Sequence, residues 1–303
     1  MAQIVGCMAL SHSPQLLTPA DKWTELPGRA RPPFHPKADV ALSLTPDAMR
    51  AHQDRCNVAI EALRDRLAAW QPDAIVIVGD DQHENILNDN MPPFTLFVED
   101  EVDATRRYRY FGADTSDQVT RYKVNAALAR DMLQGLMDRD FDPAWSRETR
   151  MEGGLGHAFG RVLEFVLPKA DVAIVPVMVN TYFPPAPSAR RCVAFGKALG
   201  EVARSSGAAE RIVFIGSGGL SHTKIDEDLD NGFIKALEAG DLDYMSAMSN
   251  DELVAGTSEI RNWMIAAAAA GAGGAMQDYV PCYRNADGVG CAMGFAYWDK
   301  CAA

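Results

Sequence analysis

Four polar clusters follow apolar segments of the chain: Ser11-His12-Ser13-Pro14, Asp80-Asp81-Gln82-His83-Glu84-Asn85, Asn180-Thr181-Tyr182 and Ser221-His222. Imidazoles and carboxylates bind divalent metals, and an imidazole also moves protons near neutral pH. The chain has six histidines, at 12, 35, 52, 83, 157 and 222. One His in a loop is ordinarily a surface or hydrogen-bonded residue. Several at equivalent ends of neighbouring strands point instead to a shared site. His12 is the first metal-ligand candidate. His52 belongs to the same end of the molecule, because its helix starts opposite the next strand's end, and His35 reads as bland. Two imidazoles and one carboxylate leave coordination positions open, which suits Fe(II) oxygen chemistry. Glu259 is the best carboxylate, at a helix start after Gly256-Thr257-Ser258. The alternative is that Glu259 only favours the helix dipole.

These residues need a scaffold that gathers strand ends. Gln3 to Leu10, Asp73 to Gly79, Val172 to Val179 and Arg211 to Ile215 are short apolar runs, as in strands buried on both faces. Helical spacing predicts helices at about 47–70, 119–139, 188–205, 228–238, 240–247 and 256–270. Residues 277–298 read as two strands joined around Asn285-Ala286-Asp287-Gly288. Residues 19–45, rich in Pro and charge, read as an irregular surface excursion, a lid or an oligomer contact. Strand and helix alternate, so the class is α/β: a single domain over 1–303, with a central mixed, largely parallel sheet flanked by helices. Ligand sites in such sheets lie beyond the carboxyl ends of the strands.

The net charge of -12 in 303 residues argues against nucleic acid and against an anionic membrane surface. An anionic substrate would need local cations; Arg190, Arg191 and Lys224 lie near site loops in sequence. Six cysteines without a C-x-x-C pair read as free cytosolic thiols. No apolar run spans a membrane, and a cytoplasmic location is expected. Gly216-Ser217-Gly218-Gly219-Leu220-Ser221-His222 could cradle a phosphate, but it matches no nucleotide motif and lacks the lysine. No nucleophile elbow occurs.

Taken in order, Ser11-His12-Ser13-Pro14, Gly79 to Asn85, Gly156-His157, Gly218 to His222 and Ser258-Glu259-Ile260-Arg261-Asn262-Trp263 resemble the LigB-type class III extradiol ring-cleavage dioxygenases. That family includes protocatechuate 4,5-dioxygenase catalytic subunits and gallate and methylgallate dioxygenases. The resemblance covers nearly the whole chain. It implies an Fe(II) cofactor held by His12 and Glu259, His222 as a catalytic acid/base, and His157 beside the substrate. The substrates implied are an aromatic diol and O2. A homo-oligomer is expected on other grounds, because the excursion 19–45 and the Ala-rich helix offer surfaces for a partner. The chain departs from the family at the second His ligand: Asp80-Asp81-Gln82 stands where the family has Asn-Asp-His. His83, His52 and Gln82 are the replacements to consider. The departure keeps open a metal-free or metal-altered binding protein of the same fold, and a zinc hydrolase on the same His/Glu face.

Overall fold

A computed structural model describes residues 2–27 and 40–302. The strands are β1 (Gln3–Leu10), β2 (Ala74–Asp80), β3 (Phe94–Phe97), β4 (Glu101–Thr105), β5 (Val119–Lys123), β6 (Ala144–Ser146), β7 (Ala173–Val179), β8 (Arg211–Ser217), β9 (His222–Lys224), β10 (Ala275–Tyr283) and β11 (Val289–Trp298). The helices are α1 (Val40–Ser43), α2 (Pro46–Trp70), α3 (Ala126–Met137), α4 (His157–Val166), α5 (Ala189–Ser205), α6 (Glu227–Ala239), α7 (Leu242–Ala247) and α8 (Ile260–Ala270).

The main sheet runs β10-β11-β1-β8-β2-β7-β3-β6, with β9 paired to β11. β1, β8, β2 and β7 are parallel neighbours, whereas β11 joins β1 and β3 joins β7 in antiparallel fashion. The sheet is therefore mixed, with a parallel centre. Every residue of β2 is buried, as expected of a strand covered on both faces. One apolar cluster lies under α3, α5 and α8, and the other under α2 and α4. No helix among the described residues is long and apolar enough to cross a membrane.

Two expectations change. Residues 119–139 are not one helix. Val119–Lys123 pairs antiparallel with β4, and the Asn125 side chain then caps α3 by accepting from Leu128 N. Local polarity hid the strand, because its partner is remote in sequence. The excursion 19–45 is partly ordered: Ala20–Glu25 forms a 3-10 helix that buries Trp23 completely. Trp23 Nε1 donates to the carbonyls of Gln15 and Thr18. His35 falls in 28–39, outside the described residues.

The Ala-rich α8 is buried along its whole length. It lies between α5 and the sheet, and its small side chains permit that fit. A Cβ on Gly196 of α5 would stand 2.3 Å from the Ile265 carbonyl oxygen of α8. α8 carries Asn262 and follows Glu259 directly, so its seating sets the site below. Gly196→Ala is expected to destabilise by about 1–3 kcal/mol through overpacking, read as a lower thermal midpoint. An unchanged midpoint would mean that the two helices separate at no cost.

Candidate active site

The carboxyl ends of β1, β8 and β2 and the start of α8 converge on one cavity of about 490 Å³. His12, Gln82, Glu84, His157, His222 and Glu259 line it, with Arg107, Arg109, Arg161 and Arg284.

Glu259 is the hub. The 3-10 turn Ala255–Glu259 gives no side-chain cap to α8, so the expected capping role is absent and the carboxylate turns inward. It is 1% exposed. Oε2 accepts from Gly219 N at 3.0 Å, and Oε1 accepts from Gln82 Nε2 at 3.3 Å. Oε1 also lies 3.1 Å from His222 Nε2, and Oε2 lies 3.5 Å from His12 Nε2. Burial opposes ionisation, yet His222 and His12 outweigh it and hold this carboxyl well below its ordinary range. The Gly219 amide thus serves Glu259, and the glycine run is not an open phosphate cradle.

The tautomer of His12 follows from its neighbours. The Ser217 hydroxyl donates to the Ala158 carbonyl at 2.5 Å, so its oxygen must accept from His12 Nδ1, 2.9 Å away. Nδ1 is thereby engaged, and Nε2 is the nitrogen that faces the Glu259 carboxylate, 3.5 Å from Oε2. A cation held between the two, a proton or a metal ion, satisfies both groups. That is how a metal-ligating His is prepared. Arg161 fixes the loop, donating to the carbonyls of His12, Arg106 and Arg107.

Further donors stand close by. One ligand atom each from His12, Asp80 and His157 lie within 4.8 Å of one another. Asp80 is fully buried; burial, then Glu259, raises its carboxyl above the usual range. Asp81 instead accepts from the amides of Glu84, Asn85 and Ile86, the ordinary work of a strand-end Asp. His157 Nδ1 contacts Glu84 Oε1 at 2.9 Å, and Arg107 Nη1 donates to the same oxygen at 2.9 Å. Burial would raise Glu84, but His157 and Arg107 bring it down to about 2. Glu84 needs the glycine at 156: a Cβ there would lie 1.7 Å from Glu84 Oε2. Two imidazoles with buried carboxylates are a donor set that fits a divalent metal.

His222 Nδ1 bonds the Leu220 carbonyl at 2.8 Å, so its Nε2 is the nitrogen that faces Glu259. Burial would lower this imidazole, but the Glu259 carboxylate overrides it and raises it to about 9. Asp230 holds the loop: it accepts from Ser221 N, Ser221 Oγ and Tyr279 OH.

The two imidazoles expected to supply the second ligand do not reach the cavity; neither His52 nor His83 lines it. His83 has φ 58 and stacks on Phe183, ring centroids 3.7 Å apart. The left-handed backbone at 83 turns the side chain away and leaves Gln82 facing inward. His52 sits on α2, where burial and then Arg55 lower its basicity. Arg190, Arg191 and Lys224 are also absent from the lining. Sequence reasoning missed Glu84, Arg161 and Asp230 as supporting groups. Glu84 lay within a motif already singled out, and Arg161 stands one helical turn after His157.

Comparison with known proteins identifies the family. The family model described as the catalytic LigB subunit of aromatic ring-opening dioxygenase matches residues 6–290. The chain belongs to that family. It is a ring-cleaving dioxygenase, and members of this family depend on a metal. The zinc-hydrolase alternative is thereby set aside. Among similar curated proteins is the 2,3-dihydroxyphenylpropionate/2,3-dihydroxicinnamic acid 1,2-dioxygenase of Escherichia coli. It is 28% identical over 277 residues, covering 73% of this chain and 83% of the relative. The enzyme of the same name from Shigella sonnei matches equally. A crystal structure of an uncharacterised Escherichia coli protein aligns at TM-score 0.49 and 14% identity, over 97% of this chain and 99% of that one.

Two predictions follow from the site's supports. Glu84→Gln removes the charge that His157 and Arg107 share, and should lower turnover or metal affinity about 10–100-fold; oxygen uptake and metal titration measure it, and wild-type values in both would refute the role. Burial, working against its Ser221 and Tyr279 donors, pushes Asp230 up to about 6. A carboxyl raised on folding stabilises the protonated native chain. That contribution is whole below the unfolded value of ~4 and disappears as pH rises through the folded one. The stability deficit of Asp230→Asn, which cannot ionise, should therefore narrow between about pH 4 and about pH 7, by up to ~3 kcal/mol. Urea melts at both pH values test this, and a constant gap contradicts it.

Proposed function

We propose that this chain is an Fe(II)-dependent extradiol dioxygenase, opening the ring of a catechol-type aromatic beside its two hydroxyls. The observation that carries it is His12 Nε2 facing the buried Glu259 carboxylate at 3.5 Å, with His222 on the same carboxylate. His12 and Glu259 would hold the metal, with Asp80 and His157 as the further donors within reach. The missing imidazole at 82 is then made good from residues across the cavity, not from His52 or His83. Two imidazoles and a carboxylate leaving open positions suit Fe(II). When bound, the metal supplies a common anchor for diol and dioxygen and a charge that favours the ionised diol.

The chain's own groups do the rest. With Glu259 committed to a metal, the contact that keeps His222 protonated would be lost, and His222 Nε2 would then take a hydroxyl proton from the diol and return one as the ring opens. Its Nδ1 bond to Leu220 keeps Nε2 aimed inward. Where Asp80 completes the metal's ligands, His157, fixed through Nδ1 by Glu84, is left with Nε2 free to bond a ring oxygen of the substrate. The substrate class matches the relatives, whose names denote diols carrying an acidic side chain; a carboxylated catechol is the corresponding substrate here.

His12→Ala should abolish iron retention together with oxygen uptake. His222→Ala should keep the iron while turnover falls about 100-fold or more. Iron analysis of anaerobically purified protein and oxygen uptake on catechols decide both. An iron-free, inactive wild type after reconstitution would instead favour a binding protein of this fold, and turnover near the wild-type rate in either variant would refute the role given to that residue.

A further inference from the structure

Four arginines line the cavity, and three are already engaged. Arg161 is bonded to three backbone carbonyls. Arg107 pairs with Glu84 at 2.9 Å. Arg109 pairs with Asp114 and Ser116 in an exposed position. Arg284 differs. It follows β10 in the tight turn to β11, where its amide donates to the Val289 carbonyl at 2.7 Å. Among the described residues its guanidinium donates once, from Nη1 to the Pro27 carbonyl at 2.9 Å. Its Nε is shielded from solvent and has no hydrogen-bond partner. Its titratable neighbours are a thiol and a phenol, Cys291 and Tyr110, not carboxylates. Both also line the cavity.

A guanidinium whose shielded Nε has no partner, and which no carboxylate among the described residues offsets, is costly. It is a sensible arrangement only if an anion arrives. The chain's net charge of -12 repels anions at long range, so an acidic substrate needs a local cation of this kind. A guanidinium fork also matches a carboxylate in two directions at once. Cys291 ties the position to the reacting end: a Cβ on Gly219, the residue whose amide bonds Glu259, would meet Cys291 Sγ at 2.9 Å.

We infer that Arg284, beside Tyr110 on the β10–β11 wall, binds the carboxylate substituent of the aromatic substrate and sets the preference for acidic over neutral catechols. This rests on the cavity being the ring-opening site, and it assigns a specificity residue that neither the motifs nor the metal donors reveal.

The test is anaerobic binding by calorimetry, before and after chelator treatment, so that no ring opening occurs. The probes are 2,3-dihydroxyphenylpropionate, 3,4-dihydroxybenzoate and unsubstituted catechol. The wild type should bind at least one acid more tightly than catechol. Arg284→Gln should weaken that acid about 10–100-fold and leave catechol within about twofold. Arg284→Lys should recover part of the loss, and propionate should compete with the acid on the wild-type protein. Equal affinity for acids and catechol in the wild type, or an unchanged preference in Arg284→Gln, overturns the assignment. Oxygen uptake on any catechol is read separately, so failure of the ring-opening function is distinguishable from failure of Arg284 as its anion anchor.

Discussion

A buried carboxylate between two imidazoles organises this end of the molecule. Glu259 is almost fully enclosed, and its oxygens meet His12, His222, Gln82 and the Gly219 amide. A carboxylate so enclosed is unfavourable unless opposite charge or donors surround it. The surrounding parts of the fold supply them. β1 delivers His12, the end of β8 delivers Ser217 and the Gly219 amide, and the loop after β2 delivers Gln82. The Ser217 hydroxyl, fixed on Ala158 of α4, determines which nitrogen of His12 faces the carboxylate. A metal at that point would take the place of a proton between His12 and Glu259, so metal binding and the charge balance of the site are linked.

The same geometry constrains elements far from the chemistry. α8 must lie close enough to α5 and the sheet for Glu259 to enter the cavity, hence the alanine run and the glycine at 196. Gly156 must lack a side chain because Glu84 fills that space. Asp230 must hold Ser221 for His222 to face inward. Each is a packing or hydrogen-bonding requirement that an active site imposes on its supports.

Much of this was legible in the sequence. Short apolar runs ending in polar clusters revealed the parallel centre of the sheet, strand-end logic brought His12 and His222 forward, and a helix start after Gly256-Thr257-Ser258 brought forward Glu259. What stayed illegible depends on backbone turns and on contacts through space. Whether His83 or Gln82 faces inward hinges on one left-handed residue, φ 58 at position 83, which composition does not reveal. Donors such as Asp80 and His157 meet His12 only once β2 and α4 are in place. β5 was taken into a helix because its partner β4 lies about fifteen residues upstream, beyond any local periodicity. Arg284 was overlooked because nothing in a hairpin turn distinguishes a cation that faces a cavity from one that faces water.

The most direct measurement is anomalous diffraction at the iron edge from crystals of the iron-loaded protein. The account predicts one strong peak roughly 2 Å from His12 Nε2 and from a Glu259 carboxylate oxygen, with Asp80 or His157 completing the set. A peak beside His52 or His83, or none in the cavity of protein that opens catechol rings, would contradict it.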